Sequence, residues 1–428
     1  MEILNRKQAP VFRTIDNIEI SEPQTYVLKN GLPIYYINSG TQDVIKIELC
    51  FTAGNGHETH RIQSTATFNL LNSGTAGRTS AQIAEELDYY GSYLELTPEK
   101  ENSYITLYSL NKHLNSVLPV FADVVSGAIY PQHELETYRA NAIQKLNVNN
   151  QKVNNRASRK FTQVLFGEDN PYGYVETEAD FNALTPTLLL NFYNTYIKNG
   201  YASIIVSGKV GAEQLAAIDD YLGAMPFKTE RQPALIETGP QPSGILSHRV
   251  PMPDTVQCAL RIGKFMVNKL HPDYQGLKML NTLLGGYFGS RLMSNIREDK
   301  GYTYGIGSWM VSRRENGFFG ISAEVGADVY QLALEEIYKE IDLLTTELID
   351  EDELEVVRNY KLGSLLKGFD GPFSRADKLR GLINYGLTPE YHERYINLIK
   401  TITPEELQAL AKKYLQPGSF YEVVAGAV

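Results

Sequence analysis

An α+β fold repeated twice along the chain is the architecture this sequence predicts, on three observations. A proline-rich stretch, 226–247 (PFKTERQPALIETGPQPSGILS), divides the 428 residues almost in half. On each side of it the same order recurs: an apolar helix, a glycine stop, a second helix, a second glycine stop, then a strand. Strand-like and helix-like stretches mix without the strict βαβ alternation of a doubly wound sheet.

Each element has a local reason. Pro226, Pro233, Pro240 and Pro242 lack the N–H that helices and central strands require, so 226–247 is expected to run extended between a domain at 1–225 and another at 248–428. The repeated unit begins at Phe68 in the first half (FNLLNSGTAGRTSAQIAEELDYYGSYLEL) and at Met279 in the second (MLNTLLGGYFGSRLMSNIREDKGYTYGIGS). Gly74 and the pair Gly285–Gly286 suit the left-handed position just past a helix. Thr79 followed by Gln82 has the spacing of a capping box, ahead of the Ile83, Leu87, Tyr90 stripe. Arg297 and Lys300 precede the second stop, Gly301, and suit a helix C-terminus. Further strands are expected over 44–51, 104–109, 203–206, 256–262, 302–308 and 317–325, and long helices over about 134–164, 328–346 and 352–367.

Composition excludes several function classes. Forty Lys+Arg against 50 Asp+Glu give a net charge of −10, which argues against duplex DNA, RNA or anionic lipid as a partner. Two cysteines, Cys50 and Cys258, make neither a disulfide scaffold nor a four-thiolate metal site, and are expected as buried thiols. The opening MEILNRKQAPVF has no apolar core of signal-peptide length, and no apolar run approaches the ~20 residues of a membrane span. A cytoplasmic location is the expectation, with a periplasmic one open if a leader has been removed.

The segment LLGGYFGSRLMSNIREDKGYTYGIGSWM (283–310), the strand end FTAGN (51–55), the unit from Phe68 and the helix after Pro131 resemble the insulinase-like zinc peptidases, which include pitrilysin and the mitochondrial processing peptidase. The resemblance spans nearly the whole chain. It implies two tandem homologous domains, each a mixed sheet of about six strands with helices mainly on one side. It also implies a zinc site: an inverted His-x-x-Glu-His motif on the first helix, and a third ligand, a glutamate, in a long helix roughly 75 residues on.

That motif is absent. Aligning Gly74-Thr75 with the family's Gly-Thr puts Thr65 and Asn69 at the two histidines, Phe68 at the catalytic glutamate and Lys145 at or beside the third ligand, where the alternative register offers Gln144. Zinc takes His, Cys or carboxylate ligands, and a lysine would set a cation beside a dication. No metal is therefore expected in this chain. His57 and His60, in Gly-His-Glu-Thr-His, offer a displaced pair; a solvated polar loop is the favoured reading. His113, His133, His248, His271 and His392 are scattered singly and read as surface or turn residues.

The second half matches another functional pair. Family members carry there an arginine and a tyrosine, seven apart, that reach a zinc site to hold substrate and assist the oxyanion. The matching positions are Arg297 and Tyr304. A guanidinium gives charge-assisted hydrogen bonds to carbonyl or carboxylate oxygen, and a phenol can donate to a developing oxyanion. The resemblance thus implies a pseudo-enzyme, inactive alone, that pairs as a dimer with a related zinc-bearing subunit to cut peptides, zinc sitting in the partner. The competing readings are a structural or assembly protein of the same fold, which needs neither Arg297 nor Tyr304, and a self-sufficient metallopeptidase using His57 and His60.

Overall fold

The structure, a computed structural model, describes residue 15, residues 18–20, 22–231 and 239–428. Residues 232–238 of the proline-rich stretch lie outside the described residues. The first sheet holds β1 (Gln24–Val27), β2 (Pro33–Asn38), β3 (Val44–Phe51), β4 (Tyr93–Pro98), β5 (Ser103–Leu110) and β6 (Ala202–Gly208), in the order β1-β2-β6-β3-β5-β4. The second holds β7 (Ser247–Pro251), β8 (Gln257–Met266), β9 (Thr303–Ser312), β10 (Gly317–Gly326) and β11 (Tyr421–Gly426), in the order β7-β11-β8-β10-β9.

Set β1 aside and the two orders coincide strand for strand. In each sheet one pair is parallel, β2 with β6 and β7 with β11, and every other pair is antiparallel. The duplication is therefore topological as well as sequential. Its second glycine stops also match: Gly91 (φ +61°) and Gly301 (φ +67°) both adopt the left-handed conformation, and β4 and β9 begin two residues after them. Thr79 and Gln82 form the expected capping box at the start of the helix Ser80–Tyr89.

Several expectations need correction. Gly286 has φ −88°, not a left-handed turn, and Gly74 sits at φ +155°. Gly285 serves close packing instead: a Cβ there would lie 2.7 Å from the backbone N and the hydroxyl of Ser308 on β9. The long 134–164 helix is two, Gln132–Asn150 and Val153–Phe166, broken at Gln151–Lys152. Residues of the segment before β1 do not stay with the first half, since Ile18 is buried in the second half's core.

Alternation along the central strands decides what covers each sheet. On β3, Ile45, Ile47 and Leu49 enter the first half's own core, while Lys46, Glu48 and Cys50 face the other way. On β8, Leu260 and Ile262 enter the second core, and Ala259 and Arg261 face away. Each outward face is covered by a helix from the opposite half. The helix Val153–Phe166 lies on β8 and β11, packing Ala157, Phe161 and Leu165 with Ala259, Phe318 and Val423. The helix Pro372–Ile383 lies on β6 and β2, packing Ala376 and Leu379 with Ile37 and Ile205. Among the described residues, no helix is long and apolar enough to cross a membrane.

Polar groups on these outward faces are paired across the halves. The Glu48 carboxylate accepts from Arg380 at 2.7 Å and lies 3.3 Å from Lys46, which itself reaches Asp377 at 2.7 Å. Arg261 donates to Ser158 Oγ and to Asn154 Oδ1. Arg380→Ala should leave Glu48 buried with Lys46 alone. Because Lys46 remains, the loss should fall below the ~3–5 kcal/mol of an orphaned buried charge, at about 2 kcal/mol. A urea unfolding midpoint that does not move would show that the pair contributes nothing net.

Candidate functional site

The first helix is held by the segment the sequence suggested was a solvated loop, and that expectation is corrected. Asn55–His57 form a buried 3₁₀ turn, with His57 only 2% exposed and its ring edge-on to Tyr196 at 5.0 Å. Glu58 accepts from Ser64 N (2.9 Å), Ser64 Oγ (2.6 Å) and Tyr174 Oη (3.1 Å), so its carboxylate caps the helix Gln63–Asn69. Burial pushes the Glu58 carboxyl above its usual range in spite of these bonds. His57 also lines a cavity of about 660 Å³ between the halves, with Lys100, Glu101, Tyr172, Arg314 and Tyr385. His60 is half-buried.

The four positions matched to the zinc site fall on two neighbouring helices. Thr65 and Asn69 are four apart on the first helix and share a face. Asn69 Nδ2 donates to Tyr138 Oη on the helix Gln132–Asn150 at 3.4 Å. Lys145 is two turns further along that helix, on the same face as Tyr138, and is exposed. Phe68 is fully buried and packs on Phe51 at 6.2 Å, so the position of a catalytic glutamate belongs to the core. A hydroxyl, a carboxamide and an ammonium do not fit zinc, whose protein ligands are imidazole, thiolate or carboxylate. Among the described residues there is no group of three or more His, Cys, Asp or Glu side chains able to hold a metal ion.

Arg297 and Tyr304 sit on elements that aim them. Arg297 is in the last turn of a π-helical segment, Met293–Asp299, half-buried, with its guanidinium 4.7 Å from the ring centre of Phe288. Gly301 then reverses the chain into β9. Tyr304 does not fill core space: it is 92% exposed. The cause is a β-bulge. Thr303 pairs with Val325 and Ile306 with Ala323, so Tyr304 and Gly305 together oppose Glu324 alone. The Thr303 hydroxyl fixes the bulge, donating to Glu324 O (2.6 Å) and accepting from Gly305 N (3.1 Å).

Beside the bulge lies a recess of about 450 Å³ lined by Thr303, Tyr304, Gly305, Glu324, Arg261 and, from the first half, Asn154. Asn154 Nδ2 donates to Glu324 Oε1 at 2.5 Å, which joins the recess to the inter-half helix. Burial lowers the Arg261 guanidinium from its ordinary value, and Glu324 opposes that shift. Sequence reasoning missed both bulge and recess. The isolated Gly305 inside a strand pattern was the available signal for the bulge. Nothing local marks Asn154.

Two family profiles match: one described as "Insulinase (Peptidase family M16)" over residues 34–170, the other as "Peptidase M16 inactive domain" over 183–361. The chain belongs to the insulinase family of peptidases. Its relatives in this family include an "uncharacterized zinc protease" of Bacillus subtilis, 23% identical over 395 residues, 91% of this chain and 94% of that protein. Another of the same description, from Rickettsia felis, is 22% identical and covers 93% and 95%. Among solved structures, the peptidase M16 inactive domain from Pseudomonas fluorescens aligns with a TM-score of 0.87 at 22% identity, covering 95% of this chain and 98% of that one. A protease from Helicobacter pylori aligns at 0.85 and 15% identity, covering 94% and 99%. These structural likenesses concern the insulinase-type fold.

Thr303→Val should remove the bond that holds the bulge. We expect about 1 kcal/mol of lost stability and faster amide hydrogen exchange at Gly305. Unchanged exchange there would mean that strand pairing alone sets the bulge.

Proposed function

We propose that this chain is the non-catalytic subunit of a two-subunit zinc peptidase of the insulinase family. It would supply Arg297 and Tyr304 in trans to a related partner that carries the zinc motif. The observation that carries the reading is the contrast between two sites in one fold. Where the family's catalytic glutamate would stand, Phe68 is sealed in the core; where its substrate-holding tyrosine would stand, Tyr304 projects from a bulge into solvent.

The chemistry assigned to each residue follows from its side chain. The zinc of the partner would activate water. In this chain, Arg297 offers fixed N–H donors to a peptide carbonyl or carboxylate, and its stacking on Phe288 restricts the guanidinium's orientation. Tyr304 offers one O–H to the oxygen on which charge develops, a contact that is stronger in the transition state than in the ground state. The similarity to the Pseudomonas fluorescens inactive domain supports an inactive subunit, and the zinc-protease relatives support proteolysis as the setting.

The chain purified alone should carry no stoichiometric zinc and should not hydrolyse unstructured peptides above background. One tightly held zinc per chain by elemental analysis would overturn the reading.

Affinity purification from the native host should recover a homologous chain bearing His-x-x-Glu-His. The pair should cleave unstructured peptide and lose that activity to a chelator. Tyr304→Phe or Arg297→Ala in the pair should leave subunit association intact and lower kcat/KM by roughly 10²–10³-fold. Full activity in both variants, or recovery of no zinc-motif homologue, would count for a structural protein instead.

A further inference from the structure

A group of cations in the second half shares no residue with the Tyr304 recess. Lys278 projects from the helix Tyr274–Gly285, Lys361 from Glu351–Gly368, and Lys378 from Pro372–Ile383; Lys269 lies between β8 and the first of these helices. The Lys278 ammonium is 4.4 Å from the ring centre of Tyr395, and the Lys361 ammonium is 5.9 Å from the same ring. Lys269 lies 4.4 Å from the ring of Tyr385 and donates to Gly381 O at 3.3 Å. Lys378 closes the group from the other side, its ammonium lying beside Gly368 at the end of the Glu351–Gly368 helix.

What is missing is an acid. Among the described residues, no Asp or Glu forms an ion pair with any of these four lysines, although the chain carries 50 acidic residues and a net charge of −10. Lys278 and Lys361 both lie over the ring of Tyr395, whose quadrupole offsets a small part of a desolvated charge. Two polar atoms of the neighbouring helix Glu390–Thr401 are buried without a protein partner, Tyr395 Oη, on a residue 1% exposed, and His392 Nε2. The electrostatics agree with the geometry. Burial, then Lys361, Lys378 and Lys269, push Lys278 down to about 7. Burial, then Lys378, Lys278 and Lys269, push His392 down to about 4, which keeps its imidazole neutral at pH 7.

Clustered ammonium groups repel one another, and a fold keeps them together at a cost unless an anion completes the site. We propose that this cluster binds a phosphate-class oxyanion between Lys278 and Lys361, with Lys269 and Lys378 adding to the field. A phosphoryl group presents several acceptor oxygens and up to two negative charges near neutral pH, matching convergent point-charge donors better than a monoanionic carboxylate. Neutral His392 and the Tyr395 hydroxyl can each donate one hydrogen bond to it. Binding would raise the Lys278 pKa, so the protein should take up a proton at pH 8.

Calorimetric titration of the full chain at constant ionic strength tests this, with inorganic phosphate in one arm and glycerol phosphate in the other. We expect saturable binding at one site, a binding heat that varies with buffer ionisation enthalpy as proton uptake requires, and a higher melting temperature. Tighter binding of glycerol phosphate would identify a phosphorylated organic ligand, and binding of inorganic phosphate alone the free ion. Lys361→Gln should weaken affinity about tenfold or more, as loss of a charge-assisted bond does. Lys278→Met should abolish binding and, in chloride alone, melt above the wild type because repulsion is relieved. Should Lys278→Met not fold, Lys361→Gln and the proton uptake still decide. No saturable binding of either ligand, or equal binding by wild type and Lys361→Gln, would overturn the proposal.

Discussion

A β-sheet has two faces, and here neither half can cover both of its own. The helices of each half shield one face. The second face of each central strand carries residues, Ala259 and Arg261 on β8, Lys46 and Glu48 on β3, that meet a helix from the other half. The exchange is reciprocal, so separating the halves would expose both outward faces together, taking Arg380 from Glu48, and Ser158 and Asn154 from Arg261. That is why the halves behave as one packed body in spite of the proline-rich connection. It is also why Asn154, from the first half, forms part of the recess beside Tyr304 in the second.

What was legible in the sequence follows the same physics. The central strands β3, β5, β8 and β10 carry long apolar or alternating runs, and their expected ranges lie within a few residues of the observed ones. The capping box at Thr79 and the second glycine stops, Gly91 and Gly301, needed only local chemistry, and were equally visible. The edge and connecting strands β1, β2, β7 and β11 are four to six residues long and lie in no pattern that a single chain separates from loop. The break at Gln151–Lys152 has no Pro or Gly to mark it. It is a tertiary requirement: the second segment must turn away to reach β8 and β11.

The site was legible to a different depth. Resemblance nominated Arg297 and Tyr304 but could not give their exposure, because a tyrosine in a strand is core or surface according to register. The bulge sets that register, and it depends on a pairing between residues about twenty apart in the chain. The GHETH segment failed as a surface loop for a related reason. Its polarity suggested solvent, yet Glu58 is drawn inward by the N-terminus of a helix whose first N–H groups need an acceptor. Likewise His392 read singly as a surface histidine, whereas two helices and the segment after β8 bring it Lys378, Lys278 and Lys269, which no sequence window contains together.

The fates of Phe68 and Tyr304 bear on function more than either does alone. Under the proposed function, a position released from catalytic duty is free to serve stability, and at Phe68 a full aromatic ring is buried against Phe51 where an ionisable group would need solvation. The same freedom was open to Tyr304. A tyrosine left 92% exposed on a bulge buries little surface, and the bulge gives up regular strand pairing to hold it there. Folding therefore explains Phe68 and leaves Tyr304 unexplained. A scaffold that had dropped every functional demand would have no reason to treat the two positions so differently. A subunit that had handed the metal to a partner and kept its grip on the substrate would.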